Sequence, residues 1–239
     1  MILLWCVGEA AGRFALLRMR RGRGMEDRDR AEWLHRSCRT ILRGIGVQIE
    51  CRGPRPSSGL VCSNHLGYLD IAVYAAAMPC VFVSKREVGN WPVVGALARG
   101  AGTIFLDRQS RASADAVARE ITERLRKTVP VMLFPEGTST EGSKVLRFHP
   151  TLIGPAVDKQ QEIAAAAVAY RADDAEEREL CWYGDASFLP HLLRLLGRTG
   201  IVAEVEFYPE ASVYLERKAA AQDLREKVEA MRDRMRRGE

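Results

Sequence analysis

Between residues 47 and 207, seven short apolar runs alternate with stretches of helical periodicity. No other feature constrains the fold of this chain as much. The expected strands are Val47–Cys51, Leu60–Ser63, Cys80–Ser84, Thr103–Leu106, Val129–Phe134, Ile163–Ala169 and Ile201–Phe207. Helices are expected between them at Asp70–Met78, Trp91–Arg99, Ala112–Lys127 and Phe188–Leu196. Strands separated by helices predict an α/β fold with a mostly parallel central sheet flanked by helices, because parallel neighbours need a crossover connection. Sheets of that kind carry their chemistry beyond the carboxyl ends of the strands.

The ends of the chain read differently. Leu3, Leu4, Val7, Ala11, Phe14 and Leu17 recur at helical spacing, and Arg18, Arg20, Arg21 and Arg23 follow, with Gly22 and Gly24 as breakers. A second helix is expected from Asp27 to Leu42. Residues 1–46 are therefore expected to form a short basic helical hairpin, and residues 47–239 the main domain. The hairpin fits two roles: a packed element with a solvated basic end, or an anchor lying on an anionic membrane surface. A charged helix at Arg217–Arg237, with Leu224, Val228, Met231 and Met235 on one face, is expected to dock on the core.

Composition excludes several classes. The chain has 239 residues, 47% of them hydrophobic, with only 20 Gly and 10 Pro, so a packed core is expected rather than a fibre or a disordered chain. No run reaches the roughly 18 uncharged apolar residues of a spanning helix, because Glu9 and Arg13 interrupt the N-terminal stretch. No basic residue precedes that stretch, which argues against a cleaved signal peptide. The formal charge of +5 favours anionic partners. Aromatics are 7% and do not interleave with basic residues, so no nucleic-acid partner is expected. The cysteines at 6, 38, 51, 62, 80 and 181 form no CxxC pair and are expected as reduced thiols. The histidines at 35, 65, 149 and 191 lack metal-ligand spacing, and no metal is expected.

Three segments combine polar chemistry with a strand end. Ser63-Asn64-His65-Leu66-Gly67-Tyr68-Leu69-Asp70 follows an apolar strand and opens an apolar helix. Asp70 stands where an N-cap belongs, and Gly67 permits a sharp turn before it. Across such a junction His65 and Asp70 can meet, and a carboxylate there would fix one imidazole tautomer and make the other nitrogen a general base. On spacing alone the pair also fits a structural histidine and a capping aspartate. Phe134-Pro135-Glu136-Gly137-Thr138-Ser139 follows the most apolar strand and reads as a tight turn offering backbone N–H groups. Gly102-Thr103-Ile104-Phe105-Leu106-Asp107-Arg108 puts a guanidinium near a strand end, where it can hold a phosphate bidentately, and Lys85 adds a cation at the end of another strand. Gly137 to Lys144 imitates a phosphate loop, but its Lys and Ser are in the wrong order and Glu136 and Glu141 would repel a triphosphate. There is no G-x-S-x-G elbow for a serine nucleophile.

In this order, N-H-x4-D, then G-x-I-F-x-x-R, then F-P-E-G-T, the chain resembles the lysophospholipid acyltransferase superfamily, typified by 1-acylglycerol-3-phosphate O-acyltransferases, over Val47 to Tyr208. The fourth block of that family is matched by Ile163–Tyr170, with alanines where proline is usual. The resemblance implies direct acyl transfer from a thioester, without an acyl-enzyme and without a cofactor. It makes His65 the general base and Asp70 its orienting partner. Arg108, with Lys85, would bind the acceptor phosphate, while Glu136, Gly137 and Thr138 would shape the acceptor site. Turn N–H groups near Asn64 or Gly137 are the candidate oxyanion donors. The implied partners are a lysophospholipid acceptor, acyl-CoA or acyl-carrier protein as donor, and an anionic membrane surface. The implied place is the cytoplasmic face of the cell membrane, as a peripheral or monotopic protein. Glu136 through Phe148, with Trp182-Tyr183-Gly184-Asp185 and Pro190-His191, also resembles bacterial lyso-ornithine-lipid acyltransferases. The acceptor readings are therefore lysophosphatidate first and lyso-ornithine lipid second, with a non-catalytic lipid-binding protein as the more distant alternative.

Overall fold

The structure, a computed structural model, describes residues 2–91, 94–106, 111–127 and 129–239. Two antiparallel helices open the chain, α1 (Ile2–Arg21) and α2 (Asp27–Gly44), joined through a 3-10 turn at Gly22–Gly24. The alternating region follows as β1 (Gln48–Arg52), β2 (Leu60–Ser63), α3 (Leu69–Ala77), β3 (Val81–Lys85), α4 (Val94–Gly100), β4 (Ile104–Leu106), α5 (Arg111–Leu125), β5 (Val131–Leu133), α6 (Pro150–Val157), β6 (Ile163–Arg171), α7 (Glu177–Leu180), α8 (Phe188–Leu196), β7 (Val202–Phe207) and α9 (Arg217–Arg237). All seven expected strands are present within one or two residues of their expected ends. The short helices α6 and α7 were not foreseen. Helix α6 contains Gly154 and Pro155, which mask its periodicity, yet Pro150 opens it at the position where a missing N–H costs nothing.

The seven strands form one sheet in the order β1-β7-β6-β2-β5-β3-β4. Strands β6, β2, β5, β3 and β4 run in one direction, and β7 and β1 run opposite to them, β7 pairing antiparallel with β6. The central strands read as continuous apolar runs because both faces are covered. Alternation then divides them. Val61, Met132, Ala164, Ala166 and Val168 face a core shared with Cys38 and Leu42 of α2 and with α3. Leu60, Cys62, Val131, Leu133, Ala165 and Ala167 face a second core shared with Ile121 of α5, Ile153 of α6 and Leu224, Val228 and Met231 of α9. The alanines of β6 let α9 pack closely against it. The charged C-terminal helix therefore docks as its apolar stripe predicts.

The carboxyl ends of five neighbouring strands meet at one pole. The Gly44 end of α2 lies near it, since Gly44 packs against Cys6 and Ile2 of α1 and β1 begins soon after, with Gln48 paired to Val202 and Val202 to Arg171 at the end of β6. At its other end, α2 is held by Asp27, which accepts from Arg124 at 2.5 Å and from Lys127 at 2.7 Å just ahead of β5. Helix α1 packs antiparallel along α2, with Trp33 Nε1 donating to Ala10 O at 2.9 Å. Its first turn packs on Gly44 at the end of α2, and Arg21 pairs with Asp29 at the start of α2. Among the described residues no helix is long and apolar enough to cross a membrane. All six cysteines are free, and Cys62 is buried in the core.

Candidate active site

The site is built on the turn between β2 and α3. Asn64 fixes its first residue: the side-chain amide donates to Val168 O at 3.0 Å and accepts from Val168 N at 2.9 Å, prolonging the β2–β6 pairing by one side chain. His65 comes next, its ring stacked on Phe134 with centroids 4.3 Å apart. Its Nδ1 lies 2.7 Å from Asp70 Oδ2. The same carboxylate oxygen accepts from Leu66 N at 2.6 Å and Gly67 N at 3.1 Å, and Oδ1 accepts from the Tyr170 hydroxyl at 2.5 Å. Asp70 is fully buried, and these four donors make burial of a carboxylate tolerable.

Asp70 is not the N-cap that the sequence predicts. Helix α3 starts one residue earlier, with Tyr68 at the cap position and no side-chain cap bond. The carboxylate instead reaches back to the preceding amides, which is what brings it to His65. Gly67 makes the turn possible: its φ is +154°, and a Cβ there would sit 2.9 Å from Trp182 N.

With Nδ1 committed to a carboxylate, the proton stays on Nδ1 and Nε2 keeps the basic lone pair. The ring is 22% exposed and lines a cavity of about 550 Å³. Lys85, Glu87, Gly137, Thr138 and Ser139 give the cavity its polar lining, the partly exposed Trp91 and Trp182 line it too, and Val83, Leu106, Leu133 and Leu152 are apolar lining. A larger groove of about 1130 Å³ lies between α2 and β1 with arginine-rich walls, and its histidine, His35, is held by Ala75 O at 2.8 Å.

The turn after β5 supports the dyad from behind. Glu136 is buried, and its Oε1 accepts from His65 N at 2.8 Å while Oε2 accepts from Leu146 N at 2.9 Å. Burial pushes this carboxyl up to about 7, against the pull of its two N–H bonds. Gly137 takes φ +74°, and its N–H is used by Phe134 O at 3.1 Å. Thr140 N donates to His65 O at 2.9 Å, stitching the two turns together.

Of the residues singled out in the sequence, His65, Lys85, Gly137 and Thr138 line one cavity, with Asp70 directly behind His65. Glu136 belongs to the frame, since both its oxygens are taken by backbone amides. Arg108 lies outside the described residues. Of the expected oxyanion donors, the N–H groups of His65, Leu66, Gly67 and Gly137 are all engaged within the fold. Tyr170 escaped the sequence reading because it acts from a strand 100 residues away, a pairing no local spacing encodes. Its only signal is its place at the end of an apolar strand.

This geometry can be set against known proteins. A profile described as "Acyltransferase" matches residues 45–168. The chain belongs to the acyltransferase family. It is 39% identical to a lyso-ornithine lipid O-acyltransferase of Rhodobacter capsulatus over 184 residues, which are 74% of this chain and 66% of that protein. It is 33% identical to the lyso-ornithine lipid O-acyltransferase of Pseudomonas aeruginosa, over 82% of this chain and 75% of that one. A 1-acyl-sn-glycerol-3-phosphate acyltransferase of Neisseria meningitidis is 29% identical over 71% of this chain and 68% of its own length. The fold is that of the crystal structure of the 1-acyl-sn-glycerophosphate acyltransferase PlsC from Thermotoga maritima, with a TM-score of 0.68 at 18% identity, covering 98% of this chain and 95% of that one. The resemblance carried by the three sequence blocks is thus the family to which this acyltransferase belongs, and its His65–Asp70 pair is placed at the carboxyl ends of the strands, as that reading requires.

Proposed function

We propose that this acyltransferase moves a fatty acyl group from a thioester, acyl-CoA or acyl-carrier protein, to the free hydroxyl of a lyso-lipid. The observation that carries the reading is the His65–Asp70 pair, tautomerically fixed, with the free imidazole nitrogen belonging to a ring on the wall of a mostly apolar cavity. His65 Nε2 takes the proton of the acceptor hydroxyl as its oxygen attacks the thioester carbonyl. The tetrahedral oxyanion needs donors that the fold has not used. Among the described residues the N–H groups of Thr138 and Ser139 make no bond within the protein, and both residues line the cavity. Collapse breaks the C–S bond, and the leaving sulfur receives the proton from His65. No cofactor enters this scheme.

The acceptor reading rests on the headgroup end of the cavity. Lys85 and Glu87 both line it, and among the described residues neither forms an ion pair. A cation and an anion on one wall fit a headgroup carrying a carboxylate and an ammonium, as a lyso-ornithine lipid does. The two relatives of highest identity quoted above bear that name. Lysophosphatidate is the second reading, favoured by Lys85 together with the family pattern at Arg108. The test is a competition assay in which one acyl donor is offered with both acceptors. Thioester should be consumed only when an acceptor is present, with lyso-ornithine lipid preferred. Acceptor-independent thioester loss, or no turnover with either lipid, would overturn the reading.

The anionic membrane surface at the cytoplasmic face remains part of the proposal. Its support is the outward face of α1, where Leu4, Trp5, Leu16 and Met19 are exposed while Cys6 and Ala10 face the protein. An apolar stripe turned to solvent suits a helix lying in an interface.

A further inference from the structure

We propose that α8 is a second membrane-contact element, one that seats the mouth of the active site on the bilayer; the inference rests on the lyso-lipid reading above. Helix α8 has two distinct faces. His191 and Leu195 are buried, and His191 accepts or donates at Nδ1 with the Tyr68 hydroxyl at 2.9 Å. On the other face Leu189 and Leu193 are 60% and 62% exposed, one helical turn apart. Pro190 and Arg194 are exposed beside them, and among the described residues Arg194 forms no ion pair. Two solvent-facing leucines flanked by a free guanidinium make poor solvent-facing surface but a good match to an anionic headgroup layer over acyl chains.

Position strengthens the argument. Phe188, the first residue of α8, packs on Trp91 at 5.2 Å and on Trp182 at 6.4 Å between ring centroids. Those two tryptophans line the cavity that holds His65, and both are partly exposed. The apolar face of α8 therefore begins where the cavity opens. An acceptor drawn from a bilayer under α8 would pass these aromatic rings without its chain crossing water.

The structure also supplies an internal control. Val213 and Leu215 are also exposed, at 53% and 82%. They follow Ser212, which pairs with Ile163 at the amino end of β6, so they lie at the opposite pole.

The test is co-sedimentation of the full-length protein with vesicles of phosphatidylcholine, with and without phosphatidylglycerol. The double variant Leu189→Ser/Leu193→Ser should bind the anionic vesicles about ten-fold more weakly or worse, given the apolar area withdrawn. Arg194→Gln should reduce only the preference for anionic vesicles. Leu193→Trp should strengthen binding, and Val213→Ser/Leu215→Ser should change nothing. Activity on a short-chain, water-soluble lyso acceptor should survive in all of them, which separates this proposal from the catalytic one. If the serine variant loses soluble activity as well, Leu193→Trp alone decides. Vesicle binding unchanged in the serine or tryptophan variant overturns the proposal. So does a serine variant whose only defect is loss of self-association or of binding to an acidic carrier protein.

Discussion

The hydroxyl of Tyr170 offers a sharp test of how the dyad is tuned. It donates 2.5 Å to Asp70 Oδ1, and both residues are buried. Tyr170→Phe removes that one donor with little change in volume. A hydrogen bond to a charged group contributes about 1.5–3 kcal/mol. For a domain of this size, that loss should lower Tm by about 3–12 °C. Part of it should also appear in the chemistry. Asp70 left with three donors is held less firmly, and so is the imidazole it orients. kcat should therefore fall by about 3- to 10-fold if half of the lost energy is transmitted. The assay is thiol release from acyl-CoA at saturating acceptor, read beside thermal melts. Tyr74→Phe is the control, since its hydroxyl bonds Ser63 at 2.5 Å and not the dyad. It should lower Tm without lowering kcat. A Tyr170→Phe enzyme that melts early but keeps the wild-type kcat would refute the tuning argument and leave Tyr170 as packing alone.

Other expectations follow from single observations. Glu136 is held protonated up to about 7 against an ordinary value of 4.5, so its stabilising contribution is complete below about 4.5 and is lost as pH rises through 7, a fall of about 3 kcal/mol. Glu136→Gln should flatten that part of the stability–pH curve while losing one amide bond. A curve as steep as wild type would contradict this. Lys85→Ala should raise acceptor KM about ten-fold or more, the value of a charge-assisted bond, and leave donor KM unchanged. Iodoacetamide at pH 8 should label Cys51 first in the native protein, because burial pushes the Cys38 thiol up to about 12 and raises those of Cys62, Cys80 and Cys181. Rapid labelling of Cys62 or Cys80 would show that the core opens readily.

What the sequence revealed and what it hid have physical causes. The strands were legible because a sheet covered on both faces needs unbroken apolar runs, and Ile163–Ala169 and Val129–Phe134 are such runs. His65 and Asp70 were legible because they share a strand–turn–helix junction, so their partnership is local. The remaining partners of the dyad are not local. Tyr170 reaches Asp70 from β6, and Glu136 reaches His65 N across 71 residues. Those contacts depend on the strand order β6-β2-β5, which alternation does not determine. Asp70 was misread as a cap because a carboxylate near a helix start has two sets of amides within reach, those ahead of it and those behind. Here it takes the ones behind. The outward apolar face of α1 was hidden for a similar reason: helical spacing shows that a stripe exists, not which side the protein covers.

The central claim is that His65 Nε2, oriented by Asp70, deprotonates the acceptor hydroxyl directly. The most direct measurement is the acceptor-dependent rate of thioester cleavage by His65→Ala, on protein shown by circular dichroism to be folded. The account predicts a loss of about 10²–10⁴-fold, with lyso-lipid binding retained and no acyl group covalently attached to wild-type protein by mass spectrometry. A folded variant with near-normal turnover, or a trapped acyl-enzyme, would contradict it.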